Sequence, residues 1–438
     1  MSYRTEFKKA VTGSTLVRLL GVALAFLVGI QLARGLGIEN YGLYGMAMAM
    51  AALGSTIASG GIQLLATRET AAFLARDDAA SAGSLMTWSF RSVALVGIPV
   101  CGMVIVLLWI GKGLSFSLAA VSGIVSLFAA FLMLAGALVR GTGRVVLGQA
   151  LDTTVRPAVY SVLLFAAALL AGRIDVTVAL ALGAVACVAG MLVALPALRP
   201  IVRNAGRCDA AREDAKRWRN TALTMGLSTV LRAAEAALPL ILIGFLATLA
   251  AAGAFRVAAS TMVLSGFAGT MITIMVPAMA AQLYARQEIT RLKKLAAASC
   301  LIMTLPSIGI AAALFFFGRP LLAIAFGVEY SVAWAPMMIL TASMVVMALG
   351  GINIALLHVA GYENIVASGF FFSLLATAGL CLWLIPEIGA EGAALAILIA
   401  VSLRTAFLSA ICWSKTGINP TLLGSITILV RSGSTDDR

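Results

Sequence analysis

The side chains of this sequence best suited to chemistry are ionisable groups set in apolar surroundings. Arg18, Arg91, Asp152, Arg156, Arg232, Glu235, Arg256 and Arg404 each fall inside, or at the start of, a long hydrophobic run. An ion near the centre of a bilayer costs roughly 2.5–3.5 kcal/mol on insertion scales, so such residues normally face a cavity or a partner. An arginine in a desolvated site can grip a multivalent anion bidentately. A carboxylate in the same place can carry a coupling ion or neutralise a nearby cation. Arg232 and Glu235 lie three apart on one helical face, and Asp152 and Arg156 four apart, so local charge pairing competes with a transport role for both pairs. Arg91 and Arg404 read as structural.

The elements that must position these groups are membrane spans. Of 438 residues, 61% are hydrophobic and 11% charged, against about 45–50% and about 25% in soluble domains. Lipid has to be the solvent for most of the chain. Apolar runs of about twenty residues recur at roughly 16–34, 42–65, 86–111, 115–139, 147–171, 176–196, 220–246, 252–280, 295–317, 332–357, 364–385 and 390–413. They are rich in Ala, Gly and Ser, which let helices approach closely in lipid. The expected fold class is therefore an all-α polytopic membrane protein of about 12 transmembrane helices. The basic N-terminus and first run superficially resemble a signal peptide, but the run is too long and lacks a small-x-small cleavage site, so it reads as a retained span.

The net charge of +13 is not a nucleic-acid signature, because the basic residues cluster in short connections. One set of connections holds Lys8, Lys9, Arg68, Arg76, Arg140, Arg144, the run from Arg199 to Arg219, and Arg286, Arg291, Lys293 and Lys294. The alternate set holds little more than Arg34, Lys112, Arg173 and Arg319. The positive-inside rule makes the first set, and both termini, cytoplasmic. The single histidine, His358, reads as structural rather than as a proton relay. The six cysteines, Cys101, Cys187, Cys208, Cys300, Cys381 and Cys412, lack metal-ligand spacing and read as small buried hydrophobes. No metal, cofactor or enzymatic activity is expected, and no P-loop points to direct use of ATP.

The stretch LRPIVRNAGRCDAAREDAKRWRN, residues 198–220, divides the spans six and six. The expected organisation is a first six-helix lobe over 1–197, a basic cytoplasmic linker over 198–219, a second six-helix lobe over 220–414 and a cytoplasmic tail over 415–438. The linker reads as a solvated connector, with a dock for a partner or anionic lipid as the alternative. The halves look related: GLYGMA (Gly42–Ala47) aligns with GAFRVA (Gly253–Ala258), and GTGRVVLGQALD near residue 141 with AGYENIVASGFF near residue 360. Six spans is an even number, so the lobes would be parallel repeats, an arrangement typical of transporters.

Residues 8–71 carry a recognisable pattern. A basic start is followed by a first span ending LARGLG, then NYGLYG, then a second span closing in a glycine and Arg68–Glu69; Ala33, Arg34, Leu36, Gly37, Tyr41, Gly42, Tyr44 and Gly61 fall at the pattern's positions. This resembles the bacterial polysaccharide (O-antigen) flippases of the multidrug/oligosaccharidyl-lipid/polysaccharide exporter superfamily. IPEIGAEGAALAILIA, residues 385–400, resembles the same family. The resemblance implies two lobes around a central cavity, alternating access, the bacterial inner membrane, and an undecaprenyl-pyrophosphate-linked oligosaccharide as cargo. It also implies other polysaccharide-assembly membrane proteins as further partners.

Spans one and seven, with two and eight, line the cavity in that family. The residues expected to bind the pyrophosphate are therefore Arg18, Arg232 and Arg256, with Arg34 and Arg68 at the rims. Glu235 and Asp152 are candidates for ion coupling or charge pairing. Gly35, Gly37, Gly42, Pro239 and Pro277 are candidate hinges, the glycines for their backbone freedom and the prolines because they remove a helical hydrogen bond. The competing function is cation-coupled multidrug export within the same superfamily. Span one argues against it, since it holds Arg18 and no Asp or Glu. A glycan polymerase or ligase would carry a large outward loop, and the outward loops here are short.

Overall fold

A backbone in lipid must satisfy its own hydrogen bonds, and a chain this apolar does so most simply as helix. The computed structural model describes residues 3–172, 174–202, 212–422 and 424. Among these, secondary structure is helical throughout: α1 Tyr3–Leu74, α2 Ala79–Val106, α3 Phe116–Gly141, α4 Val145–Ala150, α5 Arg156–Ala171, α6 Val176–Val202, α7 Arg212–Leu246, α8 Leu249–Ser265, α9 Phe267–Ala285, α10 Ile289–Ala325, α11 Trp334–Leu349, α12 Asn353–Val359 and α13 Glu363–Thr416. Short π-helical turns follow α2 and α4, and a 3₁₀ turn precedes α11. Among the described residues, nine helical stretches are long and apolar enough to cross a membrane. The expected linker's Arg203, Arg207 and Cys208, Arg173, and the tail from 425 lie outside the described residues.

Two of these helices fold back on themselves. A straight helix of 72 residues would be about 108 Å long, several times a bilayer's hydrocarbon thickness. At Gly37 the backbone turns to φ 75°, ψ 167°, a conformation open essentially only to glycine. Beyond it the Tyr41 hydroxyl lies 3.5 Å from where a Cβ on Gly29 would stand. A straight helix would hold those two residues about 18 Å apart. The last helix does the same at Ile388–Gly389, where Gly389 takes φ 54°, ψ −124°. There Ser373 Oγ donates to the Ala400 carbonyl at 3.4 Å across 27 residues of chain. The expected boundaries 34/42 and 385/390 bracket these two turns. Gly35 and Gly42 stay helical, so the reversal falls on Gly37 alone.

Other breaks fall where composition did not mark them. Gly60, inside the second arm of α1, adopts φ 23°, ψ −123°. α7 runs through Pro239 and α9 through Pro277, and the interruption inside the expected span 252–280 is at Gly266, between α8 and α9. The expected span 332–357 divides into α11 and α12 around Gly350 and Gly351, the latter at φ 63°.

The chain forms two compact units, Met1–Ala237 and Leu238–Arg438, divided within α7. The core of the first is built largely of Ala and Leu from α1, α2, α3 and α6, including Ala58, Ala130, Leu134, Leu138 and Ala194. Small residues bring these backbones close. In the second, Asn353 Nδ2 donates to Ser409 Oγ at 3.0 Å and ties α12 to α13. Large apolar side chains point outward in both units, with Leu170 89% and Ile324 73% exposed, as a lipid-facing surface requires.

Candidate functional site

The best-defined polar structure lies in the first unit, around the π-helical turn Leu151–Val155. Its cause is in the sequence. Pro157 has no N–H to give the Thr153 carbonyl, so the regular ladder fails there, and the Arg156 N–H reaches back to the Leu151 carbonyl instead. The inserted residue swings the following side chains around the helix. Arg156 and Asp152 then meet at 3.1 Å, with side chains 33% and 39% exposed. The Asp152 oxygen makes no well-aligned hydrogen bond, so Coulomb attraction rather than directional bonding holds it.

The same turn docks onto α1. Thr154 Oγ1 donates to the Val17 carbonyl at 2.9 Å, and Gly21 packs against the Thr153 carbonyl with no room for a Cβ. Arg18 sits between these two docking points and is half-buried. Further along α1 and α5, Ser161 Oγ donates to Gln31 Oε1 at 3.0 Å. The Tyr160 hydroxyl lies 2.8 Å from the Ala179 carbonyl and 3.2 Å from the Tyr44 hydroxyl. A carbonyl only accepts, so the Tyr160 proton goes to Ala179 and Tyr44 is the natural donor to Tyr160. Tyr44 and Cys187 both lie near the Arg156 guanidinium. On the other flank, Arg140 Nη1 donates to the Gly148 carbonyl at 3.4 Å, where Gly136 and Gly148 bring α3 and α4 into backbone contact.

The remaining expected residues are dispersed. Arg68 is exposed and bonds Glu69 at 2.8 Å, and Arg217 reaches the same carboxylate at 3.8 Å. This makes Arg68 part of a surface ion triad. Arg34 is exposed near the Gly37 turn. Arg232 is exposed and Glu235 half-buried on α7; the described ion pairs include Asp152–Arg156 but not Arg232–Glu235. Arg256, on α8, is half-buried between Phe255 and Val257, which are both buried, and it belongs to the second unit. Arg404 lies 4.6 Å over the Phe370 ring and within 3.4 Å of Ser373 Oγ, which accounts for a cation in that span. Among the described residues no cluster of His, Cys, Asp or Glu could hold a metal ion.

Sequence reasoning missed the Tyr44–Tyr160 and Gln31–Ser161 bonds, since hydroxyls and amides carry no spacing signal. It also missed a cavity of about 1030 Å³ within the first unit, between the second arm of α1, α2 and the first half of α7. The doublet Gly60–Gly61 was its only mark in the sequence. Gly61 there abuts Ala222 and Gly226, and its amide nitrogen lies 2.8 Å from where a Cβ on Gly226 would stand.

The sequence model of a family described as "Polysaccharide biosynthesis protein" matches residues 7–283. The chain belongs to that family. Its fold is also found in solved structures of low sequence identity. An inward-facing multidrug resistance MATE family transporter of the MOP superfamily superposes with a TM-score of 0.74 at 14% identity, over 95% of this chain and 98% of that one. A structure titled as the lipid II flippase MurJ, inward closed, gives 0.70 at 11% identity, over 96% and 90%. A MOP superfamily transporter from Pyrococcus furiosus, whose title reports a binding pocket of reversed polarity, gives 0.63 at 14% identity, over 96% of each chain. No curated protein aligns significantly with the sequence. This member of the family is thus a multi-pass helical membrane protein with the fold of those solved structures.

Proposed function

We propose that this chain is a flippase that carries an undecaprenyl-pyrophosphate-linked oligosaccharide from the cytoplasmic to the outer leaflet of the bacterial inner membrane, for surface polysaccharide synthesis. The observation that carries the reading is a polysaccharide-family sequence whose apolar helices α1, α7 and α8 bear arginines, Arg18, Arg232 and Arg256. Those cations suit a pyrophosphate, which planar guanidinium groups grip bidentately. In this reading Arg34 and Arg68 stand at the rims, and Glu235 and Asp152 serve coupling or charge balance. With the arms of α1 and α13 counted separately and α8 and α9 counted together, this reading has twelve spans in two six-helix lobes about a central cavity. The lobes are residues 1–197 and 220–414, with a basic linker between them and both termini cytoplasmic. Gly37 on the outer side, with Pro239 and Pro277, serves the rocking of alternating access. The fold neighbours, among them a protein named as a lipid II flippase, support a lipid-linked cargo.

Each negative charge moving outward gains about 2.3 kcal/mol per 100 mV of membrane potential, so the potential can drive a pyrophosphate cargo that travels without counter-ions. The test is flipping of a fluorescent polyprenyl-pyrophosphate oligosaccharide in proteoliposomes, comparing wild type with a folded Arg232→Ala, Arg256→Ala variant. Transport by wild type and its loss in the variant support the cationic cavity. If wild type ignores the lipid and expels a cationic dye against a proton or sodium gradient, multidrug export replaces this reading, with Glu235 as its first residue to pursue.

A further inference from the structure

The cavity of the first unit has a polarity of its own. α7 lines it with one helical stripe, from Lys216 and Arg219 through Leu223 and Leu227 to Val230. α2 supplies Trp88, Leu95 and Val96, and α1 supplies Gly60 and Gly61. Lys216 and Arg219 are exposed. The described ion pairs at this end join Arg68 to Glu69 and Arg217 to both Glu69 and Asp214, and include neither Lys216 nor Arg219. The other end is apolar and open: Leu95 is 76%, Leu223 69% and Leu227 61% exposed. From Arg219 to Val230 the helix rises about 16 Å, which is half of a hydrocarbon core of about 30 Å. The groove therefore runs from a cationic rim, on the side of the α1–α2 connection, over a length of about half a hydrocarbon core.

We infer that this groove is a binding site for an anionic glycerophospholipid of that leaflet, with its phosphate on Lys216 and Arg219 and its acyl chains along Leu95, Leu223 and Leu227. Charge complementarity selects the headgroup. The one-leaflet depth selects an acyl lipid over a long polyprenyl chain, which would overrun it. Arg68, one of the arginines assigned to the transported pyrophosphate, bonds Glu69 at the mouth of this groove, but Lys216 and Arg219 are not among those arginines, and lipid occupancy needs no transport.

The full-length protein, purified in detergent and incubated with phosphatidylglycerol or phosphatidylcholine, is analysed by native mass spectrometry. Two cations at about 1 kcal/mol each predict roughly 30-fold preferential retention of phosphatidylglycerol. Lys216→Gln, Arg219→Gln removes the preference, and Arg286→Gln, Lys294→Gln, an equal loss of charge elsewhere, keeps it. A second readout works on the protein with these cations intact: phosphatidylglycerol with brominated chains quenches Trp88, measured as the quenching lost in Trp88→Phe. Equal retention of the two lipids, full retention by the Lys216/Arg219 variant, or displacement of phosphatidylglycerol by equimolar polyprenyl phosphate overturns the assignment.

Discussion

Gly61 of α1 and Gly226 of α7 meet backbone to backbone: a Cβ added to Gly61 would run into the Ala222 carbonyl, and one added to Gly226 would stand 2.8 Å from the Gly61 nitrogen. No rotamer relieves a clash with main chain. Gly61→Ala and Gly226→Ala should each destabilise the protein by about 1–3 kcal/mol, and the double variant should fall short of the sum because the two share one contact. Thermal unfolding in detergent checks this, with Gly102→Ala as a control. Gly102 is helical with nothing within 4 Å, and alanine there is expected to stabilise by about 0.5–1 kcal/mol.

The pair Asp152–Arg156 is half-exposed, so its loss should cost more than a surface bridge and less than a dry one, on the order of 1–3 kcal/mol. Asp152→Asn leaves the Arg156 charge unbalanced and should lower the melting temperature. Asp152→Asn, Arg156→Gln together should recover part of the loss. A double-mutant cycle with no coupling energy would show that the pair is incidental.

The turn residues of the two folded-back helices should be intolerant of any side chain. Gly389→Ala, at φ 54°, should cost about 1–3 kcal/mol in backbone strain. Gly379→Ala, in the same helix with open space around it, should be neutral or stabilising. A comparison of melting temperatures separates strain from helix propensity.

Asp78 caps α2, its carboxylate accepting from the Ser81 N–H at 2.9 Å. The Ser81 hydroxyl first, and then that N–H bond, hold its pKa below the ordinary value of 3.8. A depressed folded pKa contributes stability that is fully present above the unfolded value and is lost as pH falls through the folded value. Wild type should therefore lose this contribution only below pH 3.8, while Asp78→Asn, also a good cap, should keep it. Asp78→Ala should be less stable at neutral pH. Melting curves at neutral and acid pH for the three proteins test the assignment.

Most of the helical organisation was legible, because a run long enough to cross lipid is a strong signal and the turns at Gly37 and Gly389 fall in the gaps between runs. The breaks at Gly60 and Gly266 were not, because the surrounding residues stay apolar and only the backbone changes. Pro239 and Pro277 were legible as helix irregularities, and both lie inside continuous helices, α7 and α9. The arginines were easy to find and hard to place. Their residue type gives the cost of burial and says nothing of which neighbours meet it, as Arg68 in its surface triad and Arg404 over Phe370 illustrate. The polar cluster around Asp152 depended on a π turn that follows from a single proline, a local event that periodicity does not capture.

That π turn makes chain length part of the design. Each residue of an α-helix advances about 100° around the axis, so the extra residue between Leu151 and Val155 offsets everything from Arg156 onward by that angle relative to α4. Deleting one residue within the turn would rotate Arg156, Tyr160 and Ser161 by that angle and carry them away from their partners together. Deleting one residue earlier in α4 would misplace the bulge itself. Tyr44, Gln31 and Asp152 are thus addressed by counting, and the segment between Gly148 and Tyr160 should accept exchanged side chains far more readily than a change in their number.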